Sequence, residues 1–200
     1  MVLSVVFHPL LLPSYLFALI LYYLPPEVLS FPADARGYVL LMVFLTTFLL
    51  PVLGTLLLRQ AQVVKSLQLF HQEDRRWPYM LAASCYTITT IIFYRQPYFD
   101  RIFFVVMGLI TASICLVLII NQFWKISAHA VGMGGALGIL VLLHGWLAEP
   151  VLVYPIVAAL MACGAVLTAR LALGAHTYKQ VYAGFFFGFL FGISLWGFSF

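Results

Sequence analysis

The 200-residue chain has ten Lys or Arg against six Asp or Glu, a net charge of +4, and is 64% hydrophobic with a mean hydropathy of +1.09. So few charges cannot cover a water-soluble domain of this length, and the composition points instead to helices embedded in lipid. The basic residues form no run and no helix face, which argues against nucleic acid as a partner.

The first apolar run, 2–24, is long enough to cross a hydrocarbon core of about 30 Å. No basic flank precedes it and no small-residue cleavage site precedes Pro25, so it reads as a retained span and not a leader. Further apolar segments follow at 38–58, 79–95, 102–123, 128–147, 151–169 and 181–200. Each is continuous and too long for a tilted strand with alternating faces, which excludes a β-barrel. The expected fold is all-α: one integral membrane domain over 1–200, a polytopic bundle of about seven spans. The longest polar stretch, 59–78, leaves no room for a soluble domain; it carries His71 and an amphipathic-looking segment at 63–70. Gly134 and Gly138 in the fifth segment, and Gly184, Gly188 and Gly192 in the last, recur at intervals of four. Such grooves let a second helix backbone approach closely in lipid. Cys85, Cys115 and Cys163 lie in apolar runs without metal-ligand spacing and read as packing residues.

Seven crossings would divide the loops into two sets. One face then carries Arg59, Lys65, Arg75, Arg76, Lys125, Arg170 and Lys179, the other Arg36, Arg95 and Arg101. This favours the first face as cytoplasmic, unless Arg76, Lys125 and Arg170 serve as anion ligands and drop out of the count.

Two polar clusters fall on that first face. One is Lys125-Ile126-Ser127-Ala128-His129, followed by Gly132; the other is Arg170, His176, Gln180 and Gly184. Two crossings separate them, and two more separate Lys125 from Arg75 and Arg76, so cations and histidines can meet at one end of the bundle. Read as a helix, His176 and Gln180 at i and i+4 would share one face. His8 and His144 lack a charged neighbour in sequence and read as structural or interfacial.

The second cluster resembles the R-x5-H-x3-D motif of the type 2 phosphatidic acid phosphatase superfamily, with Gln180 in place of the Asp. The first resembles that family's P-S-G-H motif, with Ile126 and Ala128 at the Pro and Gly positions. The family's K-x6-R-P motif is reduced to Arg75-Arg76-Trp77-Pro78, and Ala169 stands where a Ser is usual. The likeness runs from about Arg75 to Gly184 and is strongest to a divergent bacterial branch carrying an H-T-x-x-Q-V segment. The resemblance implies a six-helix phosphatase-like core plus an extra span, in the bacterial inner membrane. It implies a lipid-phosphate phosphatase or phosphotransferase that needs no metal or other cofactor. His176 would be the nucleophile forming a phosphohistidine, His129 the acid for the leaving alkoxide, and Gln180 the group that orients His176. Arg170, Lys125, Ser127 and Arg75 or Arg76 would hold the phosphate, and the substrate would be a lipid or polyprenyl phosphate. Two rivals remain open: a non-catalytic descendant that binds a headgroup or serves as a subunit beside a membrane-protein partner, and a small transporter.

Overall fold

The computed structural model describes residues 2–64, 72–147 and 149–197, and there is no strand among them. Lys65, His71 and most of the amphipathic-looking segment lie outside the described residues. The helices are α1 (Val2–Val6), α2 (Leu12–Tyr23), α3 (Arg36–Phe44), α4 (Leu50–Gln60), α5 (Arg76–Arg95), α6 (Arg101–Phe123), α7 (Ala128–Trp146), α8 (Val153–Ala172) and α9 (Tyr178–Gly192). A π turn, Leu45–Leu49, joins α3 to α4, so Ala33–Gln60 is continuous.

This corrects the expected count of spans. Among the described residues, four helices are long and apolar enough to cross a membrane: Ala33–Gln60, Arg101–Phe123, Ala128–Trp146 and Val153–Ala172. The chain is a membrane-embedded all-α bundle with four candidate spans, not about seven, and the six-plus-one arrangement falls with that number. The run 2–24 is apolar throughout but is not one helix. It breaks at 7–11, around Pro9, and α2 has 12 residues, about 18 Å at 1.5 Å per residue. α9 has 15 residues, about 22 Å, again short of a hydrocarbon core. α5 has the length, but Ser84, Thr87, Thr89, Thr90 and three tyrosines make it too polar to qualify. The assignment of a cytoplasmic face rested on seven crossings and has no remaining basis.

Several polar groups inside the bundle are matched to one another, as a medium without water favours. Pro51 has no N–H to offer the Thr47 carbonyl one turn back, and the Tyr86 hydroxyl donates to that carbonyl instead at 3.3 Å. The Thr47 hydroxyl itself donates to Val43 O at 2.8 Å. Thr90 and Thr111 hydrogen-bond between α5 and α6 at 2.8 Å.

The tightest seam is α7 against α9. A Cβ at Gly192 would fall 2.7 Å from Gly135 O, and one at Gly188 only 2.9 Å from Gly135 N, so the backbones touch directly through the glycine rows. This seam brings the starts of α7 and α9 together, and the Ser127 N–H donates to Gln180 O at 3.4 Å across it. At the opposite end, Phe17, Phe93, Phe99 and Phe103 close the core, with Phe17 and Phe93 stacked at 5.3 Å.

Candidate functional site

The starts of α5, α7 and α9, the ends of α6 and α8, and the short α1 all meet at one end of the bundle. Arg75 enters from the turn Glu73–Arg75, is buried, and donates from Nη1 to Ile126 O at 3.3 Å. The preceding loop is tied to the end of α6, where Gln72 and Asn121 exchange side-chain-to-carbonyl hydrogen bonds in both directions. Tyr79, one turn into α5, lies against Arg75.

His176 is buried just ahead of α9 and outside the helix, since Thr177 is the N-cap. Thr177 and Gln180 form a capping box: the Thr177 Oγ1 accepts from Gln180 N–H at 3.4 Å, and Gln180 Oε1 accepts from Thr177 N–H at 3.2 Å. The same Oε1 lies 3.0 Å from His176 Nδ1. An amide oxygen only accepts, so Nδ1 carries the hydrogen and Nε2 keeps its lone pair. Nε2 has no partner among the described residues and is not sealed from the site. The His–Gln contact was expected from helical i, i+4 spacing, and its origin is different. A capping side chain reaches back to the residue before the helix.

Burial, together with the smaller effects of the nearby charges of Arg75, Arg170 and Lys125, lowers the pKa of His176 to about 4, against a partial upward effect of the Gln180 hydrogen bond. The imidazole is therefore neutral at pH 7. Lys125 is lowered in turn by burial and by the same two arginines. Three cations thus sit within electrostatic reach of one neutral imidazole. Among the described residues no carboxylate pairs with Arg170 or Lys125, and the buried Arg170 Nε has no hydrogen-bond partner.

His129, in the first turn of α7, uses Nε2 to donate to Ser4 O at 2.9 Å. Arg170 Nη1 donates to Ser4 Oγ at 3.4 Å. The His8 ring meets the His129 ring edge-on with centroids 5.5 Å apart, and its pKa is lowered by burial and then by Arg170.

Of the residues singled out from sequence, Arg75, Lys125, Arg170, His129, His176 and Gln180 come to this one end. Two have other tasks. Arg76 is exposed and lies over the Trp77 ring at 5.9 Å, away from the cluster. Ser127 is fully buried and its Oγ accepts from Ala130 N–H at 3.4 Å as the N-cap of α7, so its hydroxyl is committed to the fold. Sequence reasoning missed Ser4, His8 and Tyr79 at this end. The available signal was a serine and a His-Pro step inside an otherwise apolar run, where polar side chains are costly.

No protein-family model, curated protein or solved structure matches this chain.

Proposed function

We propose that this membrane-embedded protein is a lipid-phosphate phosphatase or phosphotransferase acting through a phosphohistidine on His176, a divergent relative of the type 2 phosphatidic acid phosphatases. One observation carries the reading. A neutral imidazole with Nδ1 held by Gln180, and with Nε2 lacking a partner among the described residues, lies within electrostatic reach of three cations, two of which have no carboxylate partner among the described residues. Half-buried cations without a counter-ion are costly, and a phosphate supplies the missing negative charge.

The chemistry follows from these groups. The Nε2 lone pair attacks phosphorus while Arg170, Lys125 and Arg75 meet the charge on the phosphoryl oxygens. A bound phosphate dianion favours protonation of His129. His129 then gives its proton to the departing alkoxide as the P–O bond breaks. Water next attacks the phosphohistidine, His129 takes up its proton, and the P–N bond breaks to release phosphate and restore His176. Gln180 holds the tautomer as a neutral acceptor but offers no anion to the imidazolium that forms, unlike the Asp of the related motif.

The same neutrality favours one rival, a headgroup-binding protein without turnover. Trapping separates the two. Protein incubated with a radiolabelled lipid phosphate and quenched in alkali should retain acid-labile label on His176, and His176→Ala should retain none. Equal labelling of the two proteins, or no label on the wild type, would favour the binding protein.

A further inference from the structure

Ser4 contacts both the candidate acid and the candidate phosphate-binding arginine, through its carbonyl to His129 and its hydroxyl to Arg170. We propose that α1 is a gate: Ser4 occupies the anion position between His129 and Arg170, and it must withdraw before a phosphate can bind. The inference rests on the phosphate-site reading above.

The burial pattern of α1 supports it. Val2, Leu3, Val5 and Val6 are all exposed, with Val2 at 76% and Val5 at 64%, and Ser4 is the buried residue of the five. In a membrane-embedded chain such apolar side chains face lipid, which leaves Ser4 as the residue of α1 turned toward the bundle. This segment is held by its polar residue, with a further hydrogen bond from Tyr15 Oη to Val6 O at 2.9 Å. Oxygen atoms stand where phosphoryl oxygens would stand: a carbonyl accepts from His129 Nε2 and a hydroxyl from Arg170 Nη1. Both are neutral, so an anion forms stronger hydrogen bonds with the same donors and can displace them. The break at 7–11 provides the hinge. There the Leu10 N–H donates to His8 Nδ1 at 3.3 Å and the Leu11 N–H to His8 O at 2.8 Å, while the His8 N–H donates back to Val5 O at 3.2 Å, the bond that opening would release. The four exposed apolar side chains allow a released α1 to remain in the membrane.

Orthovanadate binding tests the gate in the full-length chain in nanodiscs. Ser4→Ala removes one of the two oxygens and should tighten vanadate binding about threefold; removal of residues 2–6 should tighten it about tenfold, the order of a charge-assisted hydrogen bond. A second readout is independent of phosphate: diethylpyrocarbonate should modify His129 slowly in the wild type and faster once residues 2–6 are gone, with quantification by mass spectrometry. Measurable vanadate binding of equal or lower strength in both variants, or unchanged His129 modification, would overturn the gate and leave the phosphate site standing. Failure of all three proteins to bind vanadate would overturn the phosphate site and the gate with it.

Discussion

Adding a single methyl group at Gly188 should open the seam that assembles the site. A Cβ there would lie 2.9 Å from both Gly135 N and Val131 C, and closer still to the Val131 carbonyl oxygen. An ordinary contact needs about 3.4 Å and the Val131 oxygen is the limiting neighbour, so α7 and α9 must part by more than about 1 Å, because backbone atoms cannot rotate aside as a side chain would. Overpacking of this kind costs about 1–3 kcal/mol. The same separation loosens the Ser127 N–H to Gln180 O hydrogen bond and moves His176 away from His129. Gly188→Ala should therefore lower the unfolding temperature in detergent and weaken vanadate binding together. Gly164→Ala, where a Cβ meets nothing within 4 Å, should leave both unchanged. An unfolding temperature for Gly188→Ala equal to that of the wild type would refute the claim that direct backbone contact holds this seam.

Other residues give sharper chemical contrasts. Arg170→Ala should weaken vanadate binding by about tenfold or more, whereas Arg76→Ala and Lys179→Ala, both at exposed positions, should change it less than twofold; similar losses in all three, by titration, would remove Arg170 from the site. With a His176 pKa of about 4, below its ordinary value of 6.5, the nucleophile is neutral above pH 4 and the acid limb of turnover should fall only near that pH. Gln180→Asp adds a carboxylate, raises that pKa and should move the acid limb upward; an unmoved pH profile would mean that position 180 does not face the nucleophile. Gln180→Ala should lower turnover without eliminating it, and it should also destabilise α9, because the capping box is lost.

The boundaries of α6, α7 and α8 were legible in the sequence to within a few residues, because each is a long apolar run ended by a polar or proline-bearing turn. The number of spans was not. Hydropathy measures what a segment is made of and not whether its helix continues, and the run 2–24 is apolar on both sides of the break at Pro9. The Arg–His–Gln spacing pointed to residues that do share one end of the bundle, but spacing alone could not tell a helical pair from a capping box. Nor could it tell Arg75 from Arg76. The turn before α5 sends the first inward to Ile126 and leaves the second beside Trp77. Ser127 looked like a ligand because it belongs to a motif, yet a serine at a helix start is as often a cap, and here its hydroxyl is spent on Ala130. Ser4 was out of reach of any local reading, since its partners lie 125 and 166 residues away.

Phosphate release from a panel of lipid and polyprenyl phosphates, comparing wild type with His176→Ala in nanodiscs, tests the central claim most directly. The account predicts turnover by the wild type on at least one of these substrates and background release from the variant. Indistinguishable rates for the two proteins across the panel would contradict a phosphohistidine enzyme.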